Sequence, residues 1–179
     1  MQKRLILNAE LLSITVDRLC QQLIENHNNI ENTVIIGLQS KGAVLADILV
    51  ERLNELAKIT VAKGYLDTTF YRDDFRRRNS PAKANATNID FLIEDKKVIL
   101  VDDVLYTGRS VRAALDAMLA YGRPAKVEFL TLINRKYSRD LPIEPDYVGK
   151  DVNTVDTQVV RVEIGDGTKN KVWLLNEEQ

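Results

Sequence analysis

The segment VILVDDVLYTGRS, residues 98–110, constrains the fold more than any other part of the chain. A run of apolar residues ends at two adjacent carboxylates, Asp102 and Asp103, and Thr107-Gly108 then leads into a helical pattern. A buried strand followed by a loop and a helix is the repeating unit of parallel α/β sheets, which bind ligands at the carboxyl ends of their strands. Because adjacent like charges repel, we expect a ligand at this strand end that favours negative charge around it.

The rest of the chain alternates in the same way between short apolar runs and amphipathic segments. These patterns predict helices over 9–26, 43–57 and 108–122, buried strands over 33–38, 96–104 and 125–133, a strand or hairpin arm over 58–72, and short closing strands over 146–152, 157–165 and 171–176. The polar stretch over 73–88 is too long for an ordinary connection and is typical of a lid, a binding loop or disorder. We therefore predict one α/β domain over 1–179, with a parallel sheet and helices on both faces.

Composition argues against several classes of function. The chain has 25 basic and 26 acidic residues, so bulk charge does not favour nucleic acid or an anionic membrane, although a local basic patch remains open. No apolar run is long enough to span a membrane, and the first residues lack the pattern of a signal peptide. The single cysteine, Cys20, cannot form an internal disulfide, which favours a reducing, cytoplasmic compartment. With one histidine, His27, the chain cannot build a Cys/His zinc cluster.

The loop after the acid pair has the composition of a phosphate-binding loop. Backbone N–H groups at the start of a helix, with the hydroxyls of Thr107 and Ser110, bind a phosphate dianion well, and Gly108 allows close approach. Carboxylates are acceptors suited to ribose hydroxyls or to the water shell of a magnesium ion. The plainer interpretation is a solvated acid pair with Thr107 as a helix cap. Neither G-x-G-x-x-G nor G-x-x-x-x-G-K-[ST] occurs in the chain.

The full stretch resembles the phosphoribosyl pyrophosphate (PRPP) signature of the type I phosphoribosyltransferases. Other stretches resemble one branch, the PyrR family of pyrimidine-operon attenuation regulators that are also uracil phosphoribosyltransferases: GLQSKGAVLA (37–46), TTFYRDDF (68–75), YGRPAKV (121–127) and LPIEPDYVGKDV (141–152). The resemblance implies the type I phosphoribosyltransferase fold, with a flexible hood over about 66–92. It also implies transfer of ribose 5-phosphate from PRPP to uracil, with Mg²⁺, to give UMP and pyrophosphate.

The resemblance implies a role for each residue of the reaction centre. Asp102 and Asp103 would be the catalytic carboxylates, holding the ribose 2- and 3-hydroxyls and meeting the metal through those hydroxyls or through water. The 5-phosphate would bind to Thr107, Gly108, Arg109 and Ser110. The pyrophosphate would bind to Ser40, Lys41, Gly42 and, from the hood, Arg72. The neighbouring Arg76, Arg77 and Arg78 are expected to be solvated.

The base would bind, by the same resemblance, to Tyr147, Val148, Tyr106 and Arg135. Backbone groups of Val148 would contact the uracil edge with Tyr147 near the base, although Tyr147 as an ordinary core residue is an open alternative. Tyr106 stands where the 6-oxopurine salvage enzymes carry an acid for a purine ring nitrogen. This difference favours a pyrimidine, while a phosphoribosyltransferase for a purine base remains an alternative.

The RNA-binding property of the family is where the chain departs from the resemblance. Only Lys3, Arg4 and Arg18 are basic before residue 40, and Asp17 falls where RNA-binding members carry hydroxyl or basic side chains. RNA binding needs clustered Lys and Arg, so this count argues against it. A UMP-sensing mRNA-binding regulator with little catalysis therefore stays the second hypothesis. The resemblance also implies a homodimer or a higher homo-oligomer.

Overall fold

The computed structural model describes residues 3–28, 30–73, 85–165 and 167–176. Its strands are β1 (Lys3–Leu7), β2 (Thr33–Leu38), β3 (Ala62–Leu66), β4 (Lys97–Leu105), β5 (Lys126–Lys136), β6 (Tyr147–Asn153), β7 (Gln158–Glu163) and β8 (Lys171–Asn176). Its helices are α1 (Ala9–Asn26), α2 (Lys41–Ala57) and α3 (Arg109–Met118). Short 3₁₀ turns cover Ile30–Asn32, Thr69–Tyr71, Leu119–Tyr121 and Gly167–Lys169. No helix among these residues is long and apolar enough to cross a membrane.

The main sheet has five parallel strands in the order β3-β2-β4-β5-β6, which confirms the predicted α/β fold. Alternate residues of a strand point to opposite faces, and β4 shows the result. Ile99 and Val101 join the core under α1 and α2, whereas Val98 and Leu100 join the core under α3. Both faces of the sheet are therefore covered, which explains why β2 and the first half of β4 are continuously apolar.

A second sheet of three antiparallel strands, in the order β1-β8-β7, packs against the first. Leu7, Val160 and Val172 from this small sheet belong to the same hydrophobic core as Ile99 and Leu130 of the main sheet. The sequence predicted β7 and β8 but not β1, and it did not predict that they form a separate sheet. The two sheets therefore share one hydrophobic core.

Several predicted boundaries were wrong. The strand or hairpin arm over 58–72 is reduced to β3, and a 3₁₀ turn follows it. Strand β5 extends three residues beyond the predicted end at residue 133, because Asn134 and Arg135 still pair with Asp151 and Val152 of β6. The third helix ends at Met118, and Gly122, at φ 123°, ends the turn after it.

A buried polar cluster lies at the amino-terminal ends of the main strands. His27 follows α1, and its Nε2 lies 2.7 Å from the Glu128 carboxylate. The Tyr147 hydroxyl donates to the same carboxylate at 3.2 Å, and Lys126 donates to its other oxygen. Burial alone would raise the pKa of Glu128, but Lys126 and His27 together outweigh it and hold that pKa below its usual range. Glu128 thus ties α1 to β5 and β6 as a carboxylate.

Glu128→Gln should lower the stability of the chain by about 1 to 2 kcal/mol at neutral pH, because charge-assisted hydrogen bonds are lost. The pKa of Glu128 is lower in the folded chain than in the unfolded chain. Its carboxylate therefore stabilises the folded chain fully at a pH above the unfolded pKa, and this stabilisation is lost as the pH falls through the folded pKa. The melting difference between variant and parent should therefore be greatest at pH 7 and shrink below about pH 4. Thermal melts across pH measure it, with the exposed Glu51→Gln as control. A difference that is independent of pH would contradict this assignment.

Candidate functional site

The start of α2 lies directly against the end of β4, which brings two of the predicted subsites together. Gly42 is buried, and a Cβ at this position would lie 2.5 Å from Val101 O and 3.2 Å from Asp102 Oδ1. Only glycine allows this approach. The exposed Ser40 and Lys41, which follow the cis Gln39–Ser40 peptide, therefore stand beside the acid pair.

The charged forms of Asp102 and Asp103 are disfavoured by their surroundings. Burial raises the pKa of Asp102 well above its usual range, and the charge of Asp103 raises it further. Burial also raises the pKa of Asp103, and the Lys41 ammonium opposes that shift. The Asp103 N–H donates to Asp102 Oδ1 at 2.9 Å. Hydroxyl donors or a cation near these oxygens would stabilise the charged carboxylates. The pair therefore fits a sugar diol or a metal with its waters.

Residues 106–110, which we call the phosphate loop, include the predicted phosphate-binding residues 107–110 and line a cavity of about 260 Å³ together with Asp102 and Arg72. Gly108 precedes α3 in the left-handed region, at φ 91°, and lets the loop turn into the first helical N–H groups. Thr107 Oγ1 is 3.5 Å from the Arg109 N–H, and the residue before the helix is Gly108 rather than Thr107. The plain helix-cap interpretation of Thr107 is therefore not favoured, and Thr107 lines the cavity.

The two arginines at this loop differ in their partners. Arg109 forms ion pairs with Asp73 and, at 3.1 Å, with Asp140, so its side chain is shared between two carboxylates. Arg72 Nη1 donates to Ser110 Oγ at 2.7 Å, and its charge acts on Asp102. The structure thus places Arg72 at the phosphate loop. Residues 76–78 lie outside the described residues.

Tyr106 and Arg135 form a stacked pair at the other side of the cavity. The Arg135 guanidinium carbon lies 3.8 Å from the centre of the Tyr106 ring. Arg135 is only 5% exposed and donates to Thr154 Oγ1 at 3.0 Å and to Gln158 O at 2.9 Å. The structure therefore brings together two of the four residues predicted to bind the base.

Tyr147 and Val148 do not line this cavity. The Tyr147 side chain is buried in the Glu128 cluster, so the structure favours the core alternative for its ring. The Val148 carbonyl, a group expected to contact uracil, accepts hydrogen bonds at 3.3 Å from both terminal nitrogens of Arg18 on α1. Arg18 also donates to the Gly149 carbonyl.

Sequence reasoning missed the segment that supports the phosphate loop. The Thr107 carbonyl accepts from Asp140 N at 3.0 Å and from Leu141 N at 3.2 Å. Arg139 donates to the Tyr106 carbonyl at 2.6 Å. No local pattern could have revealed these contacts, because they join residues more than 30 positions apart.

Comparison with known proteins agrees with this geometry. The family description "Phosphoribosyl transferase domain" matches residues 5–166. "Bifunctional protein PyrR" of Acetivibrio thermocellus is 43% identical over 159 residues, or 89% of this chain and 86% of that protein. The protein of the same name from Gloeothece citriformis is 45% identical over 159 residues, or 88% of each chain.

Solved structures of phosphoribosyltransferases share the fold. The hypoxanthine phosphoribosyltransferase of Trypanosoma cruzi has a TM-score of 0.72 at 14% identity, and the match covers 98% of this chain and 97% of that one. A hypoxanthine-guanine phosphoribosyltransferase from Bacillus anthracis has a TM-score of 0.67 at 19% identity, covering 86% of this chain and 85% of that one. Identities this low concern the fold and not the base.

Proposed function

The chain belongs to the phosphoribosyltransferase family, and from that membership we propose that it makes UMP and pyrophosphate from PRPP and uracil. The observation that carries the proposal is the meeting of three subsites at one edge of the sheet. The acid pair, the loop 106–110 and the start of α2 lie within reach of one phosphorylated sugar. The protein is accordingly a glycosyltransferase of the pentosyl class.

The reaction breaks the bond between ribose C1 and a pyrophosphate oxygen, while uracil N1 bonds to C1 and loses its proton. Positive charge develops on the ribose ring in the transition state, as in an oxocarbenium ion. Asp102 and Asp103 supply negative charge beside the ring and accept hydrogen bonds from its 2- and 3-hydroxyls. Helix N–H groups and the hydroxyls of Thr107 and Ser110 bind the 5-phosphate. Lys41, with Ser40 and Gly42, lies where the pyrophosphate leaves.

A magnesium ion fits this donor set. Asp102 and Asp103 are hard oxygen ligands whose pKa values are raised mainly by burial, and a nearby cation would favour their charged forms. They would hold the metal through its waters or through the ribose hydroxyls. When bound, Mg²⁺ neutralises charge on the leaving pyrophosphate.

The choice of uracil rests on the pairing of Tyr106 with Arg135 and on the similarity to PyrR proteins. Tyr106 offers a flat ring and a hydroxyl instead of the acid expected for a purine. Val148 would contribute backbone groups to the base, and Tyr147 would act by fixing the start of β6. We place the enzyme in the cytoplasm, because its single cysteine favours a reducing compartment, and we propose a homo-oligomer, as the resemblance implies.

The relatives' name also suggests a second function, and the charges of α1 and α2 argue against RNA binding there. Arg52 forms ion pairs with Asp17 at 2.5 Å and with Glu55 at 2.8 Å, which neutralise it. Arg18 is engaged by the carbonyls of Val148 and Gly149. Phosphate binding needs cations that are accessible and not already neutralised.

A pyrophosphate-release assay with PRPP and Mg²⁺ tests the proposal, with uracil, hypoxanthine, guanine and orotate in separate reactions. We expect release with uracil and at least about tenfold less with each other base. Release with a purine would retain the PRPP site and reject the base assignment. Absence of pyrophosphate release with all four bases would reject the catalytic proposal, and titration with pyrimidine-operon leader RNA would follow.

A further inference from the structure

The phosphate loop rests on a segment that has no part in the chemistry proposed so far. We call residues 139–143 the back wall. Its Asp140 and Leu141 N–H groups both donate to the Thr107 carbonyl. Its Ile143 packs on Gly108 so closely that a Cβ at position 108 would lie 3.0 Å from Ile143 Cγ1. The position of the loop therefore depends on the position of the back wall.

One side chain fastens the back wall to the rest of the site. Arg139 Nη1 donates to Tyr106 O at 2.6 Å and to Arg135 O at 2.9 Å. Its Nε donates to Ile143 O at 3.0 Å, and its Nη2 donates to Asn134 Oδ1. A single guanidinium thus joins the end of β5, the back wall and the first residue of the phosphate loop.

The chemistry of this contact requires arginine. Four acceptors in different directions match the fixed, planar set of donors of a guanidinium, whereas a lysine ammonium is a point charge with three donors. All four acceptors are uncharged carbonyl or amide oxygens. Burial lowers the pKa of Arg139, so the group is held there against a desolvation cost. Such a cost is consistent with a geometric role.

We infer that Arg139 is a positioning residue of the phosphate loop, holding Thr107 and Gly108 where they meet the 5-phosphate of PRPP. It acts through the Tyr106 carbonyl and the back wall and does not touch the substrate. The inference rests on the proposed function only for the identity of the loop's ligand.

Titration of the full chain with ribose 5-phosphate tests the inference without any base. Calorimetry would compare the parent with Arg139→Lys and Arg139→Met. We expect both variants to bind ribose 5-phosphate about tenfold more weakly, since small displacements of a binding group are costly. The matched control is Arg112→Gln, which removes an arginine of α3 whose exposed side chain pairs only with Asp116 among the described contacts. It should bind within about twofold of the parent.

Steady-state kinetics and melting distinguish positioning from loss of folding. The Arg139 variants should raise KM for PRPP about tenfold and leave KM for uracil within about twofold. A merely structural role would lower the melting temperature and leave the KM values of the folded fraction unchanged. Ile143→Ala, which leaves Arg139 in place, should weaken ribose 5-phosphate binding in the same direction. It keeps the inference testable if the Arg139 variants do not fold.

The outcomes separate this inference from the proposed function. Parental ribose 5-phosphate binding in Arg139→Lys would overturn the inference, and so would parental binding in Ile143→Ala. If Arg139→Lys binds normally and Arg139→Met does not, the residue acts by charge and the geometric role is wrong. If the parent makes no UMP but binds ribose 5-phosphate, the proposed function fails while the titration still decides the role of Arg139.

Discussion

Asp102→Asn combined with Asp103→Asn should reduce UMP formation by at least about 10³-fold, because the charge that stabilises the transition state is removed. The same change should raise the melting temperature of the ligand-free chain. Burial raises the pKa of both carboxyls in the folded state, and the charge of Asp103 raises that of Asp102 further. An acid with a raised folded pKa costs stability at every pH above that of its unfolded form, so neutralising it is stabilising at pH 7.

The measurement pairs a UMP assay with thermal melts at pH 7 and at pH 4. We expect the double variant to melt about 2 to 5 °C above the parent at pH 7. The gap should be narrower at pH 4, because the folded parent has by then taken up protons at its raised carboxyl pKa values. Asp156→Asn, which removes an exposed carboxylate, is the control and should change neither property. An active double variant would remove these residues from the mechanism. An inactive variant that melts lower would instead indicate damage to the fold.

Gly42→Ala should have the second-largest effect. Its methyl group would lie 2.5 Å from Val101 O and 3.1 Å from Asp102 Cα. Both of these are backbone atoms, which cannot rotate out of the way as the end of a side chain can. The start of α2 must then move away from β4, at a cost of about 1 to 3 kcal/mol. Since this displaces the Ser40–Lys41 turn from the acid pair, we expect kcat/KM for PRPP to fall about 100-fold.

Melting and kinetics at saturating uracil measure this effect, and Glu51→Ala on the exposed side of α2 is the matched control. The expected drop in melting temperature is about 2 to 12 °C. A Gly42→Ala protein with parental stability and activity would show that the two subsites do not depend on their close approach.

The parts of the site that the sequence predicted are those encoded locally. β4, the acid pair and the loop to α3 follow one another within residues 98–110, and their apolar pattern and turn residues determine the structure. β1 gave no comparable signal, because it is mostly exposed and pairs with β8 at the far end of the sequence. The role of Arg139 depends on acceptors from two other segments, the end of β5 and the phosphate loop, so no local pattern encodes it.

Tyr147 shows a different reason for failure. A strand places successive side chains on opposite faces, so a motif match can give the right strand and leave open which face a given side chain occupies. Here the register puts the Tyr147 ring in the core with Glu128. Only the three-dimensional pairing of β5 with β6 could decide between the two predictions.

Because β8 is the middle strand of the small sheet, its synthesis determines when the candidate site can be completed. Arg135 is held by the Gln158 carbonyl of β7, and Val160 of β7 lines the cavity. Among the described strands, β7 pairs with β8, and the other neighbour of β8 is β1, which is synthesised before both of them. A nascent chain can have its PRPP signature outside the ribosome while residues 171–176 are still in the exit tunnel. Such a chain lacks the pairing that supports Arg135 and Val160 at the cavity. Catalytic competence should therefore arise after synthesis of β8, although Asp102 and Asp103, the proposed catalytic residues, emerge earlier.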